Sequence, residues 1–380
     1  MSGWDAETAV VGLGAWGAAA LWRLASRGVD TVGFERFTPG HALGPWQDGS
    51  RVFRLACSEH PGLVPLARRS RELWPELSDG GPAGLFTASG ALVIGPENGS
   101  LAGGTLRAAR AHGVPVRTFS ATALRFQFPR HTGMPAHHTG VWEPSAGLLR
   151  PGRAAGTAVA LAQEAGARVF SDCRVTAVEL VPGGAHVHTA QRSMRVRQVV
   201  LAAGAWLPAL LPGLPLETVR MPVTWFRPFE PDGDFDLERF PAFLRQLEDG
   251  RVLWGHGSGG GNDIRVTLDD PGVAAKPVDP EDPDHSVTPD DWSGLSRLLS
   301  AKVPGLSPVP ARVAVATRTR APDGHPLLGR PGGDPRLVVA GGDNAHGFAH
   351  SPGVGEAVAD LVLGTALDPA LAALSPDRFA

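Results

Sequence analysis

Three glycines near the start of the chain have a spacing that is typical of phosphate binding. Gly12, Gly14 and Gly17 lie in the segment AVVGLGAWGAAA, between a short apolar stretch and an Ala-rich run. In this motif Gly12 permits a tight turn, Gly14 lets the backbone approach a pyrophosphate, and Gly17 lets a helix pack closely on a strand. The N–H groups at the start of that helix then face the anion. The alternative is a Gly-rich connection that binds nothing.

An acidic residue follows where a dinucleotide site needs one. A second apolar strand, TVGF, ends immediately before Glu35, on the order of 20 residues after the glycines. A carboxylate at this point accepts hydrogen bonds from a ribose 2′-OH. The strand, the Gly turn, the helix and the acid together predict dinucleotide binding.

Two arginines form the next candidate. Arg51 and Arg54 stand three residues apart in SRVFR, and in a helix this spacing would put both guanidinium groups on one face. Such a pair could bind a phosphate, a cofactor ring or a substrate carboxylate. The alternative is two ordinary surface arginines, because nearly all basic residues of this chain are arginine.

Two later segments repeat the pattern of a strand that ends in small residues. RQVVL runs into Ala202-Ala-Gly204-Ala-Trp206, and RLVVA runs into a loop from Gly341 to His350 that opens a helix at Ser351-Pro-Gly. A buried strand that ends in Gly is where a backbone passes close to a bound dinucleotide. The second of these helices supplies another N-terminus for an anion or an electron-rich ring.

The remaining segments indicate an α/β protein with a change of pattern between residues 220 and 315. Helical periodicity covers 64–77, 101–112, 152–165 and 292–302. Between 220 and 315, strands such as VTWF and RVLW alternate with loops rich in Pro, Asp and Gly. We therefore predict a mixed sheet inserted into the nucleotide-binding domain.

Bulk composition excludes several classes of partner. The chain has 380 residues and a net charge of −3, so it lacks the basic footprint of a nucleic-acid-binding protein. Gly, Arg and Pro interrupt every apolar run before it reaches membrane-spanning length. Cys57 and Cys173 give neither a disulfide framework nor metal-ligand spacing, and we predict no metal site at His137 and His138. With no signal-peptide pattern, we expect a cytoplasmic monomer.

Taken in order, these segments resemble the FAD-dependent D-amino-acid-oxidase superfamily, in particular its monomeric sarcosine oxidase and N-methyltryptophan oxidase branch. The resemblance covers nearly the whole chain. Its most specific pieces are SRVFR, PLARRSRELW, EPSAG and HGFAHSPGVGE.

The resemblance implies a Rossmann-type FAD-binding domain interleaved with a mixed-sheet substrate domain. The FAD-binding parts would be 1–84, 143–219 and 317–380, and the substrate-domain parts 85–142 and 220–316. Contacts to the cofactor would come from Gly12, Gly14, Ala15, Trp16, Gly17, Glu35, Arg36, Ser50, Arg51, Val175, Gly204, Trp206, Gly342, His346, Gly347, Phe348 and Ala349. Arg54 would bind a substrate carboxylate, and Trp254, Arg265 and Arg318 would complete the catalytic site.

Several positions depart from the family pattern. Ala316 replaces the cysteine that carries the flavin, so FAD would be bound non-covalently. Arg265 replaces the lysine that promotes O2 reduction, and Lys and Arg are not interchangeable there. Ala349 replaces a second carboxylate-binding lysine. Trp254 and Arg318 replace two tyrosines of the substrate cavity, and Asp269 replaces a histidine.

The resulting hypothesis is oxidation of a C–N bond in a secondary or cyclic amine or amino acid other than sarcosine, with O2 as the acceptor. Arg265 leaves open a dehydrogenase that uses another electron acceptor. The incomplete carboxylate site leaves open a flavoprotein in which FAD is structural or supports a non-redox reaction. An NAD-dependent dehydrogenase is disfavoured, because His346-Gly-Phe has no role in it.

Overall fold

A computed structural model of the chain describes residues 3–41, 49–60, 62–79, 84–230, 233–258, 263–269, 277–282, 284–344 and 347–380. The strands are β1 Ala6–Val11, β2 Thr31–Phe34, β3 Arg51–Phe53, β4 Phe86–Thr87, β5 Ala91–Pro96, β6 Arg117–Ser120, β7 His138–Glu143, β8 Gly147–Leu149, β9 Arg168–Phe170, β10 Val175–Val181, β11 Gly184–Thr189, β12 Ser193–Leu201, β13 Glu217–Phe226, β14 Ala242–Gln246, β15 Val252–His256, β16 Ile264–Asp269, β17 Arg312–Arg320, β18 Leu327–Gly329 and β19 Leu337–Gly341. The helices are α1 Ala15–Ser26, α2 Leu63–Asp79, α3 Ala102–His112, α4 Ala121–Gln127, α5 Pro151–Glu164, α6 Leu207–Leu210, α7 Ser293–Lys302 and α8 Ser351–Leu363.

The first sheet has a parallel centre with the order β19-β12-β1-β2-β9. β10 and β11 extend it as an antiparallel hairpin on β12, and β18 pairs with β19. The carboxyl-terminal halves of β1 and β12 and the whole of β19 are apolar and buried, as in parallel sheets that are covered on both faces. The carboxyl ends of β1, β2, β12 and β19 therefore meet along one edge.

Helix α1 packs between α5 and α8 on one face of this sheet. Its Ala-rich sequence favours a helix and also lets neighbouring helices approach closely. The closest approach is at Gly355 of α8, where a Cβ would lie 2.5 Å from the carbonyl carbon of Ala19. The glycine in α8 is thus a packing residue, and it fixes how the C-terminal helix lies beside the first one.

The second sheet is mixed and has the order β17-β13-β16-β15-β14-β5-β7-β6. Only the β14–β5 pair is parallel among its described pairings. A third, small antiparallel sheet has the order β3-β8-β4. Its central strand, β8, directly precedes α5 in the chain. The prediction of an α/β protein with a separate mixed sheet is confirmed.

Two features of the structure bear on the sequence-based description. Residues 51–53 form strand β3, so Arg51 and Arg54 do not share a helix face. The predicted boundaries at 219/220 and 316/317 fall inside β13 and β17, which pair with each other from Glu217↔Arg320 to Trp225↔Arg312. Both strands belong to the second sheet along their full length, and the five-part division of the chain stays a prediction.

None of the helices that the structure describes combines the length and apolar character needed to cross a membrane.

A histidine lies in the apolar layer beneath the second sheet. His131 is fully buried and contacts the rings of Phe240 and Phe243 at 4.9 and 4.7 Å between centroids. Within the described part of the chain, neither of its ring nitrogens has a hydrogen-bond partner. Burial, together with the nearby charge of Arg245, lowers the pKa of His131 to about 3. The folded protein therefore holds this imidazole neutral.

This histidine should make the protein sensitive to acid. Below pH ~6.5 the unfolded chain binds a proton at His131 that the folded protein rejects until about pH 3, so stability falls as the pH falls through this window. We expect His131→Phe to remove about 2 kcal/mol of the loss in unfolding free energy between pH 7.5 and 5. Urea unfolding at the two pH values in excess FAD measures it.

The matched control is His137→Phe, because His137 is exposed in the same loop. An equal change of acid sensitivity in both variants, or none in His131→Phe, would show that the buried imidazole is not the cause.

Candidate functional site

Three backbone segments cross in contact where β1 and β12 end. Gly12 N–H donates to Phe34 O at 2.8 Å, and Ala202 N–H donates to Val11 O at 2.9 Å. Gly12 has φ +86°, and a Cβ there would lie 2.7 Å from Ala202 O. A Cβ on Gly17 would lie 1.8 Å from Gly12 O. Only glycine fits at positions 12 and 17, so both are needed to bring α1 against the sheet.

Gly14 has a different role. It is the N-cap residue of α1, where no side chain caps the helix and no acidic residue occupies the first turn. A Cβ on Gly14 would meet no described heavy atom within 4 Å beyond its immediate chain neighbours. The helix N-terminus therefore has no side-chain cap and open space beside Gly14. This arrangement fits a pyrophosphate.

Glu35 lies at the end of β2 and is buried. Its Oε2 accepts a hydrogen bond from Leu13 N–H at 2.7 Å, and its Oε1 accepts one from Phe37 N–H at 2.9 Å. The carboxylate thus holds the Gly turn against the end of β2. Each oxygen retains further acceptor capacity for a ribose hydroxyl.

A cavity, here called the Gly-loop cavity, lies at the carboxyl ends of these strands. Most residues that the sequence assigned to the cofactor line it: Gly12, Gly14, Ala15, Trp16, Glu35, Arg36, Val175, Gly204, Trp206 and Gly342. The structure thus collects residues from five distant segments around one space. Their contacts to a cofactor stay a prediction.

One wall of the Gly-loop cavity contains an acidic residue that the sequence did not reveal. Arg36 makes a bidentate ion pair with Glu281 at 2.7 and 2.9 Å, and its guanidinium carbon lies 5.1 Å from the centre of the Trp206 ring. Arg174 also contacts Glu281, at 3.0 Å. The hydrogen bonds from Arg36 are the main cause that holds the pKa of Glu281 below its usual value. Glu281 lies 245 residues from Arg36, so no local pattern could have indicated the pair.

A second cavity, here called the arginine cavity, is lined mainly by strands β13, β15, β16 and β17 of the second sheet together with Arg51 and Val52 of β3, and has a volume of about 1500 Å³. Of the predicted site residues, Arg51, Arg54, Trp254, Arg318 and Ala349 line it. Arg318 lines the Gly-loop cavity as well. Arg318 therefore borders both cavities.

Arg54 is buried at the wall of the arginine cavity. Its Nη2 forms an ion pair with Glu59, and its Nη1 donates to Ala56 O at 3.3 Å. Burial disfavours the charged guanidinium, but Glu59 and other nearby acidic groups keep the pKa of Arg54 above its usual value. Glu143 holds the following turn, because its carboxylate accepts from Leu55 N–H at 2.7 Å and Ala56 N–H at 3.0 Å. The sequence singled out the EPSAG segment without this role.

Arg265 is fully buried and, among the described residues, lines neither cavity. Its Nη1 donates to Ser50 O at 2.7 Å, and its guanidinium carbon lies 4.3 Å from the Trp254 ring centre. Ser50 Oγ lies 2.6 Å from Nε2 of His256, which pairs with Arg265 across β15 and β16. Arg51 Nη1 also donates to Ser50 O, at 2.8 Å. Ser50 therefore joins two cations and a histidine that the sequence analysis had missed.

The loop before α8 contacts both α1 and α2. Trp16 Nε1–H donates to Gly347 O at 2.9 Å, which ties α1 to the turn before α8. Phe348 is buried against Trp74, with 5.6 Å between the ring centres. In the part of the chain that is described, Gly17, Ser50, Gly347 and Phe348 line neither cavity. The prediction for His346 lies outside the described residues.

Ala316 lies on β17, buried beside Met221, Val223 and Trp225. Ala316 and Arg318 are two residues apart in the strand, so their side chains lie on the same face. Both cysteines are free; Cys173 lines the Gly-loop cavity, whereas Cys57 is buried behind Arg54. Burial raises the pKa of the Cys57 thiol well above its usual value, so Cys57 stays protonated.

Comparison with known proteins gives a consistent result. Residues 7–361 match the family model described as FAD dependent oxidoreductase. The chain is 32% identical to the monomeric sarcosine oxidase of Streptomyces avermitilis over 98% of both chains. It is 28% identical to the N-methyl-L-tryptophan oxidase of Salmonella arizonae, over 93% of this chain and 94% of that protein.

Among solved structures, the fold is similar to that of NikD, described as an unusual amino acid oxidase essential for nikkomycin biosynthesis. The TM-score is 0.81 at 24% sequence identity, over 98% of this chain and 97% of that one. At this identity the likeness concerns the fold.

Proposed function

The chain belongs to the FAD-dependent oxidoreductase family, and we propose that it oxidises a C–N bond of a secondary or cyclic amine or amino acid other than sarcosine. The observation that carries this proposal is that Arg318 borders both cavities. A ligand in the arginine cavity would lie beside a cofactor in the Gly-loop cavity, with Arg318 next to both. The sarcosine and N-methyltryptophan oxidases among the relatives act on amines of this kind.

FAD would be held by backbone groups and a carboxylate. The open N-terminus of α1 at Gly14 would bind the pyrophosphate, and Glu35 would bind a ribose hydroxyl. Ala316 offers no atom that can form a covalent bond to the flavin. We therefore propose non-covalent FAD, with the Gly-loop cavity supplying all of its retention.

Arg54 would bind the carboxylate of an amino-acid substrate. Its ion pair with Glu59 leaves a guanidinium that is buried at the cavity wall, and Glu59 is itself partly exposed. A substrate carboxylate would exchange with Glu59 for the same donors. Trp254 forms an apolar wall of the cavity and keeps water from the reacting C–N bond.

When bound, FAD would accept the two electrons that are removed as the C–N bond is oxidised to an imine, and water would then hydrolyse the imine. A buried cation near the flavin would stabilise the negative charge that develops on oxygen when O2 takes up electrons, and this would favour O2 as the final acceptor. Arg265 is such a cation, held by Ser50 O and the Trp254 ring. Arg265 is, however, fully buried and lines neither cavity among the described residues, so an O2 molecule in either cavity would not contact it. This observation favours the second candidate, a dehydrogenase that uses another electron acceptor.

The two free cysteines support a cytoplasmic location for the proposed enzyme. We propose that it acts as a monomer on small molecules.

Flavin reduction tests the proposal directly. We expect at least one secondary or cyclic amino acid to bleach the FAD absorbance of the anaerobic holoprotein, and air to restore the absorbance within seconds. Failure of every amine to bleach a flavin that dithionite reduces would contradict C–N oxidation. Bleaching followed by slow recovery in air would favour the dehydrogenase.

Acid precipitation tests how FAD is attached. Because Ala316 cannot bond the flavin, we expect a colourless pellet and a yellow supernatant. A yellow pellet would refute non-covalent binding. Cys57→Ser and Cys173→Ser then serve as controls that show whether either remaining cysteine carries the flavin.

Arg54 and Glu59 give a pair of variants with opposite effects. Arg54→Ala removes the charge-assisted pair, so we expect KM for acidic substrates to rise about 10- to 150-fold. Glu59→Gln weakens the competing anion, so KM should fall. Steady-state kinetics with an acidic and a neutral amine measure both effects. An unchanged KM in Arg54→Ala, or an equal rise for the neutral amine, would remove Arg54 from carboxylate binding.

A further inference from the structure

Four arginines lie at or behind the wall of the arginine cavity. Arg51, Arg54 and Arg318 line the arginine cavity, and Arg265 lies behind Trp254. Their exposed fractions are 4%, 8%, 16% for the Arg318 side chain, and 0% for Arg265. Buried guanidinium groups stay charged and require anions or carbonyl oxygens as partners. The partners of each one therefore show where a ligand anion can bind.

Three of these guanidinium groups have strong partners in the protein. Arg51 and Arg265 both donate to Ser50 O, at 2.8 and 2.7 Å. Arg54 forms its ion pair with Glu59. These contacts define Arg54 as the carboxylate site already proposed and leave Arg318 to be explained.

Arg318 has only a weak partner among the described residues. Its Nη2 lies 3.3 Å from Oδ1 of Asp269, whose side chain is 53% exposed. Its buried Nε has no hydrogen-bond partner in the described part of the chain. An ion pair with an exposed carboxylate is screened by water and contributes at most about 1 kcal/mol. A better-placed anion would displace Asp269 at little cost.

The position of Arg318 shows what that anion belongs to. Arg318 comes from β17 of the second sheet, whereas Arg54 follows β3 of the small sheet. Both line the arginine cavity, so a molecule long enough to span the space between them would contact both guanidinium groups. The reacting C–N bond would then lie between two charged ends.

Resting on the proposed function, we propose that Arg318 binds a second acidic group of the substrate. The substrate class is a secondary amine that carries two carboxylates, one bound by Arg54 and the other by Arg318. The first carboxylate replaces Glu59, and the second replaces Asp269. The charge at position 318 thereby determines specificity, because a neutral substrate would leave this guanidinium with its weak partner only.

Binding of unreactive sulfur analogues tests this inference without turnover. (Methylthio)acetate carries one carboxylate and thiodiacetate carries two, and neither has a C–N bond. Calorimetry with the FAD-loaded protein gives both dissociation constants. We expect thiodiacetate to bind at least about tenfold more tightly, which corresponds to one additional charge-assisted pair.

Variants at position 318 isolate the cause. Arg318→Gln should abolish the preference for the diacid, Arg318→Lys should keep part of it, and Asp269→Asn should increase it. Arg312→Gln is the matched control, because Arg312 is an exposed residue of the same strand that lines neither cavity among the described residues.

Equal affinities of the two analogues in the unaltered protein would overturn the inference. So would an equal weakening of both analogues by Arg318→Gln, or absence of thiodiacetate binding. These outcomes are separate from the flavin-bleaching experiment, because binding is measured without oxidation. If amines bleach the flavin and the analogues bind equally, only the role of Arg318 fails.

A second inference concerns three residues of the β10–β11 hairpin that line neither cavity among the described residues. His186 and His188 are two residues apart in β11, so their side chains lie on the same face. The register pairs His186 with Glu179 of β10. Oε2 of Glu179 lies 3.5 Å from Nε2 of His188 and 4.0 Å from Nδ1 of His186. One ligand atom from each of the three residues lies within 4.8 Å of the others. The sequence analysis missed this group because its members meet only through strand pairing.

We infer that this hairpin binds a divalent transition-metal ion such as Zn²⁺. Two imidazoles and a carboxylate are ligands that Zn²⁺ accepts, and the partial exposure of the site leaves a position for water.

Titration with ZnCl₂ by calorimetry tests the hairpin site. We expect one site per chain, weakened at least about tenfold by His186→Asn and unchanged by the exposed control His137→Asn. Absence of a zinc site, or equal weakening in both variants, would overturn the inference.

Discussion

The structure depends on the close contact of three backbones at Gly12, Gly17 and Ala202. A side chain at Gly12 or Gly17 would occupy space that a carbonyl oxygen already fills. Because the backbones touch, α1 begins directly at the end of β1 and its N-terminus faces the edge where the central strands end. Glu35 fixes the same turn from the other side through Leu13 N–H. The Gly-loop cavity is the consequence of this crossing.

The second constraint is the charge that the chain places beside this cavity. Arg318 borders both cavities, Trp254 lines the arginine cavity, and Arg265 lies behind Trp254. Buried guanidinium groups must be balanced by carbonyl oxygens, aromatic faces or anions. Ser50 O and Trp254 provide the first two. An anionic substrate, as proposed above, would provide the third.

The sequence predicted those parts of the molecule that local patterns encode. The Gly motif, the apolar strands that end in small residues, and the periodic helices all lie close to their predicted positions. The conformation of residues 51–53 was not predictable from spacing, because pairing with β8 makes the segment a strand. Glu281, His256 and the role of Glu143 were missed because each of these residues meets its partner through tertiary packing alone. The Glu179–His186–His188 group was missed because strand register, which brings these residues together, cannot be read from one strand.

The central claim is that FAD is held without a covalent bond in the Gly-loop cavity and meets the substrate at Arg318. A crystal structure of the protein with FAD and thiodiacetate tests it most directly. The account predicts the pyrophosphate at the N-terminus of α1, a ribose hydroxyl on Glu35, no bond from the protein to the flavin, and one carboxylate on Arg318. A pyrophosphate bound elsewhere, a covalent bond to the flavin, or Arg318 still paired only with Asp269 would contradict it.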